Sequence, residues 1–124
     1  MDSRWMIRHA IVLVPFPFDD LSASKVRPAL CLTSEVTEFK HVVIAFISSK
    51  VPDLPIDSDL VILKGTDEWQ GTGLTVDSVI RLHRLLTIPK HLISRKLGRI
   101  NSTTAHAVSD RLHLLFNPDN SIIP

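Results

Sequence analysis

The sequence predicts a mainly β, α+β fold: a small, strongly bent sheet or barrel carrying C-terminal helices. Three observations lead there. Short β-branched and apolar runs fill the first two-thirds of the chain, polar or glycine-bearing stretches separate them, and the hydrophobic pattern turns helical in the last third. At 124 residues there is length for one hydrophobic core and not for two, so residues 1–124 are expected to form a single domain. Hydrophobic residues make up 44% and charged residues 22%, a balance that a folded chain carries and a disordered one does not.

The first strand is expected over Ile11-Val12-Leu13-Val14-Pro15-Phe16-Pro17-Phe18, which is rich in β-branched and aromatic residues. Its two prolines cannot donate ladder hydrogen bonds, so its second half belongs at an edge or bulge. Asp19 to Lys25 is small and polar, and reads as a loop. Pro28 to Ser34 and His41 to Ser49 are two further strands, with Glu35 to Lys40 as a hairpin-like connection. Leu60 to Leu63 and Ser78 to Leu82 are shorter candidates on either side of the glycine-bearing stretch Gly65 to Gly73, and one more strand is expected near Leu85 to Ile88. Those glycines suit turns better than a phosphate cradle. Lys90 to Leu97 reads as a short helix, with Pro89 at its start and Gly98 at its end. Ser102 to Phe116 is the best helix, capped by Ser102 or Thr103, with Val108, Leu112, Leu115 and Phe116 as its buried stripe. Asn117-Pro118 ends it, because the residue before a proline is pushed out of helical geometry.

Composition also excludes classes. The lone cysteine, Cys31, can form no internal disulfide, and within Ala29-Leu30-Cys31-Leu32 it reads as a buried, inert thiol. No apolar run approaches bilayer-spanning length, and the N-terminus lacks the small-residue cleavage site of a signal peptide. A cytoplasmic location without a membrane partner is therefore expected. Net charge is only +1, but its distribution is uneven. Asp53, Asp57, Asp59, Asp67, Glu68 and Asp77 crowd one stretch; Arg81, Arg84, Lys90, Arg95, Lys96 and Arg99 follow with no acid between Ser78 and Ser109. Such asymmetry can build a basic surface for phosphates, or merely a solvated face.

Most enzyme signatures are absent: no P-loop, no dinucleotide-binding glycine pattern, no His-Glu-x-x-His. The six histidines, His9, His41, His83, His91, His106 and His113, show no spacing that selects a catalytic pair, and only His106 and His113 share a helix face. Trp69 suits packing better than base stacking, and Phe16, Phe18 and Phe46 suit a core or an interface. Two places stand out. Lys25-Val26-Arg27-Pro28 sets a guanidinium at the mouth of a strand, where Pro28 holds Arg27 extended and its planar fork matches phosphate oxygens. Ile47-Ser48-Ser49-Lys50 ends an apolar strand in two hydroxyls and an ammonium.

These segments occur together in a known order. Ile11–Phe18, Lys25-Val-Arg-Pro-Ala-Leu, Ile44-Ala-Phe-Ile-Ser-Ser, Thr72-Gly-Leu, Asp77-Ser-Val-Ile-Arg-Leu and Leu86-Thr-Ile-Pro-Lys-His-Leu-Ile-Ser-Arg-Lys-Leu-Gly resemble the MazF/PemK toxins of type II toxin–antitoxin systems. The likeness runs over roughly residues 9 to 116. It implies an SH3-like small barrel with C-terminal helices, a homodimer, and a metal-independent endoribonuclease without a cofactor. Such an enzyme cuts single-stranded RNA to a 2′,3′-cyclic phosphate and a 5′-hydroxyl, and a cognate antitoxin peptide blocks its groove. The family's essential arginine falls on Arg27 and its hydroxyl residue on Ser48; Lys25, Ser49, Lys50 and Arg81 are candidate RNA-binding residues around them. Two positions depart from the pattern. His9-Ala10 stands where members carry Gly-Asp, and the short Leu21-Ser22-Ala23-Ser24-Lys25 replaces a longer glycine-rich loop. A catalytically inactive barrel that binds RNA or a protein partner is the alternative reading.

Overall fold

The computed structural model describes residues 7–16 and 25–118. They form one curled six-stranded antiparallel sheet with a single C-terminal α-helix. The strands are β1 (Ala10–Phe16), β2 (Lys25–Cys31), β3 (His41–Ser48), β4 (Asp59–Ile62), β5 (Ser78–Pro89) and β6 (Arg95–Arg99), in the spatial order β4-β5-β3-β2-β1-β6. The helix α1 spans Ser102–Phe116. Phe18 and the expected loop up to Ser24 lie outside the described residues.

β1 behaves as its prolines require. It pairs with β2 from Ile11 opposite Leu30 to Phe16 opposite Lys25, but with β6 only from Ala10 to Leu13. Pro15 thus lies beyond the β6 ladder, on the stretch of β1 that is an edge on that side. β2 starts and ends three residues earlier than expected. Its polar opening, Lys25-Val26-Arg27, is exposed and gives no hydrophobic signal, and only pairing with β1 makes it a strand. Past Cys31 the chain still bonds to β3: the Leu32 amide donates to the Val43 carbonyl, and the Val43 amide to Thr33 Oγ1.

The two strands expected at Ser78–Leu82 and Leu85–Ile88 are one. β5 is continuous over twelve residues, and its register on β3 jumps from Arg81–Phe46 to Leu85–Ala45. Leu82, His83 and Arg84 therefore stand out of that ladder as a bulge. The gap expected between two strands is extra length in one bent strand.

The helix expected over Lys90 to Leu97 is not formed. A single 3₁₀ turn, Lys90–Leu92, leads into β6. Gly98 explains the difference. It lies in β6 where a Cβ would come within 2.2 Å of the Gly71 carbonyl oxygen, so it serves a close backbone approach and not a helix end. The Arg99 amide donates to that same Gly71 carbonyl. Gly73, at φ +76°, approaches Leu97 as closely. The Thr72-Gly73-Leu74 segment is thereby locked against β6.

Alternation along the strands makes two apolar layers. Ile11, Leu30, Ala45, Ile47, Ile80 and Leu82 meet Ile62, Leu74, Ile100 and Val108 in one cluster, which Ala105 and Leu112 of α1 help to cover. Val12, Val14, Ala29, Cys31, Val42, Ile44 and Phe46 form the second on the opposite face. The cap of α1 is Asn101, whose side chain accepts from the Thr104 amide at 2.8 Å, one residue before the caps expected from the sequence. Val108 is buried as expected, but Phe116, the last residue of α1, is exposed.

Candidate nucleic-acid interface

β2 and β3 bring the two outstanding segments side by side. Ala29 pairs with Phe46, Leu30 with Ala45 and Cys31 with Ile44. The ladder ends at Ala29–Phe46; continued by two residues, the same register would set Arg27 opposite Ser48. Side chains two apart share a face, so both belong to the face of Ala29 and Phe46. Nothing in the spacing of two strands in a sequence requires them to be neighbours; the β2–β3 pairing makes them so.

Each side chain is left available. Arg27 is exposed and pairs with no carboxylate among the described residues. Ser48 is half-buried, and its Oγ accepts the Lys50 amide at 3.0 Å. That bond fixes the oxygen and leaves the hydroxyl proton free to be donated. Ser49, Lys50 and Lys25 are exposed around the pair.

Arg81 occupies a different position from the other candidates. It stands opposite both Phe46 of β3 and Asp59 of β4, and its Nε donates to Asp59 Oδ1 at 2.9 Å. The Asp59 side chain is 1% exposed and also accepts the Ile56 amide, so Arg81 neutralises a buried carboxylate as well as bordering this face. Sequence reasoning passed over Arg84, whose guanidinium lies 5.4 Å from the centroid of the Phe46 ring. The one available signal was an arginine at the break between two apparent strands.

Several of the other residues singled out in the sequence are held in structural roles. Cys31 is fully buried, and burial pushes its thiol up to about 11, which leaves it protonated and inert. Trp69 packs against the first core cluster. His83 Nδ1 shares a 2.8 Å hydrogen bond with Ser58 Oγ, and His41 lies 6.0 Å from the Phe39 ring centroid. His9 adopts φ +74°, a left-handed conformation that glycine reaches without strain. It does so where the family's Gly-Asp would place its glycine. Its ring is held neutral below the usual histidine range by burial first, and then by Arg8 and Arg99. The described residues contain no group of three histidine, cysteine or acidic side chains able to share a metal, and no helix among them is long and apolar enough to cross a membrane.

Sequence comparison with curated proteins finds no match. Solved structures match well in fold. The Mycobacterium tuberculosis toxin MazF-mt6 superposes with a TM-score of 0.67 at 23% identity, over 89% of this chain and 98% of that one. A mycobacterial endoribonuclease solved with its cognate antitoxin gives 0.69 at 13% identity, over 91% and 96%. MazF in a MazE–MazF complex from Deinococcus radiodurans gives 0.63 at 16%, over 87% and 91%. The sequence model for the PemK-like, MazF-like toxin of type II toxin–antitoxin systems matches residues 7–116, which is nearly the whole chain. The chain belongs to the PemK-like, MazF-like toxin family.

Proposed function

We propose that this protein is the toxin of a type II toxin–antitoxin pair and a metal-independent endoribonuclease of the cytoplasm, cutting single-stranded RNA through Arg27 and Ser48. The reading is supported by the antiparallel β2–β3 register, which, continued two residues past its last pair Ala29–Phe46, would set Arg27 opposite Ser48, and by membership of the family. The RNA 2′-oxygen attacks the adjacent phosphorus, the bond to the 5′-oxygen breaks, and a 2′,3′-cyclic phosphate and a 5′-hydroxyl result. Negative charge builds on the non-bridging oxygens and then on the leaving oxygen. Arg27 clamps the former in its planar fork, and the Ser48 hydroxyl donates to one of them. A donor preorganised in this way contributes about 2.7–4 kcal/mol to the transition state.

A guanidinium is a poor base and does not accept the 2′-OH proton. Asp59 is buried and already holds Arg81 and the Ile56 amide, so it is not the acceptor; water or another side chain takes the 2′-OH proton, and water protonates the leaving 5′-oxygen. Lys25, Ser49 and Lys50 rim the strand ends and hold the flanking phosphates, with Arg81 behind them. The working unit is a homodimer, and a cognate antitoxin peptide occupies the same groove. That antitoxins accompany two of the fold relatives in their structures supports the last point.

The test is cleavage of mixed-sequence RNA by the purified protein in EDTA. Wild-type protein should cut, and Ser48→Ala should cut about 10²–10³-fold more slowly. Arg27→Ala should be weaker still. Intact RNA at high protein concentration, or an Arg27→Ala variant as fast as wild type, refutes the enzyme. Salt-sensitive RNA binding without cleavage would mark the inactive binding barrel instead.

A further inference from the structure

We infer that Arg84, laid over the ring of Phe46, forms the platform on which the RNA base beside the scissile phosphodiester stacks. The inference rests on the proposed RNA substrate and names how that substrate is gripped.

The bulge in β5 creates the platform. Its three residues outside the β3 ladder are each disposed differently. Leu82 is buried in the core and its amide donates to the Ser58 carbonyl. His83 is tied to Ser58 Oγ. Arg84, anchored by these neighbours, is exposed and crosses back over Phe46 on β3. No carboxylate among the described residues pairs with it. Arg81, also opposite Phe46, has its Nε engaged by Asp59, so Arg84 is the guanidinium left for a ligand.

The ring needs no further cover for its own stability, since Phe46 is 8% exposed within an apolar cluster. The guanidinium is planar, with its carbon 5.4 Å from the ring centroid, and the exposed side chain offers that plane to a second flat π-system. Arginine planes stack nucleobases in single-stranded RNA recognition. The distance is right as well. Phe46 precedes Ser48 by two residues on the same face, about 7 Å along an extended strand, the span of one nucleotide step. A phosphate held between Arg27 and Ser48 therefore puts a neighbouring base over Arg84.

The test separates a plane from a charge. The probe is mixed-sequence single-stranded RNA with 2-aminopurine in place of adenine, mixed with wild-type protein, Arg84→Lys and Arg84→Ala. Stopped-flow fluorescence reads stacking in the binding phase, and gels read cleavage. Wild-type protein should quench 2-aminopurine. Arg84→Lys keeps the charge and loses the plane: quenching should vanish and binding weaken about 5- to 150-fold. KM should change more than kcat, and the dependence of log affinity on log salt should stay unchanged. The platform is overturned if Arg84→Lys binds and quenches as wild type. It is equally overturned if Arg84→Ala keeps the quenching and only lowers the salt slope, the mark of a phosphate contact. Wild-type protein that binds and quenches without cutting refutes the proposed cleavage and upholds the platform. Wild-type protein that neither binds nor quenches refutes both.

Discussion

Replacing Gly98 by alanine should destabilise the protein by about 2–4 kcal/mol, through backbone contact alone. The new Cβ would meet the Gly71 carbonyl oxygen at 2.2 Å, the Thr72 carbonyl carbon at 2.6 Å and its oxygen at 2.7 Å. Real Cβ atoms essentially never come within 3.0 Å of such atoms, so β6 or the 71–73 segment must withdraw by about 0.8 Å, the difference between 2.2 and 3.0 Å. None of these atoms belongs to a flexible side chain that could rotate away. Overpacking of this kind costs about 1–3 kcal/mol. The withdrawal also weakens the 2.9 Å bond from the Arg99 amide to the Gly71 carbonyl, worth about 0.5–1.5 kcal/mol. Gly65→Ala supplies the contrast. Gly65 has φ +89° but nothing within 4 Å of an added Cβ, so only backbone strain of about 1–2 kcal/mol applies. Urea unfolding followed by tryptophan fluorescence measures both as shifts in midpoint at constant slope. Gly98→Ala within about 0.5 kcal/mol of wild type, or less damaging than Gly65→Ala, would show that β6 and the 71–73 segment are not locked as described.

Three further outcomes follow from particular contacts. His9→Gly relieves the left-handed strain at φ +74° and should raise stability by about 1 kcal/mol at neutral pH. The lowered pKa of His9 means that the unfolded chain takes up the proton first, so wild-type stability should fall as pH drops below 6.5 towards the folded value. The difference in urea midpoint between wild type and His9→Gly across pH 5–8 reads this, and a pH-independent difference would contradict it. Arg81→Ala leaves the buried Asp59 carboxylate with only the Ile56 amide. It should cost about 2–3 kcal/mol, less than a fully buried pair because Arg81 itself is partly exposed; an unchanged midpoint refutes this. Cys31 should resist a thiol reagent in the native protein and react fully in urea, and rapid native labelling would contradict its burial.

Where local chemistry decides, the sequence was enough. β-Branched runs fixed β1 and β3, the polar stretch between β2 and β3 fixed their connection, and Asn117-Pro118 ended α1 where proline forbids its continuation. The ordered motifs also marked Arg27 and Ser48. They could not be joined from sequence by physical reasoning alone, since a strand signal says that a segment is extended and not which neighbour it meets.

What tertiary structure decided turns on partners distant in the chain. Lys90 to Leu97 carries helix-like punctuation, yet Arg95–Arg99 is a strand because β1 offers it a free edge and the bonds of that edge outweigh weak local propensity. Gly98, read alone, is a helix terminator; beside Gly71 it is the one residue small enough to let two backbones touch. His83 and Arg84 fell between two expected strands; the structure makes Leu82 to Arg84 a bulge of one strand that delivers a guanidinium onto Phe46. Periodicity and propensity act over a few residues, so they specify elements. Register, bulges and close approaches arise only when elements separated by tens of residues share hydrogen bonds and space, and those determine where Arg27, Ser48 and Arg84 come to stand.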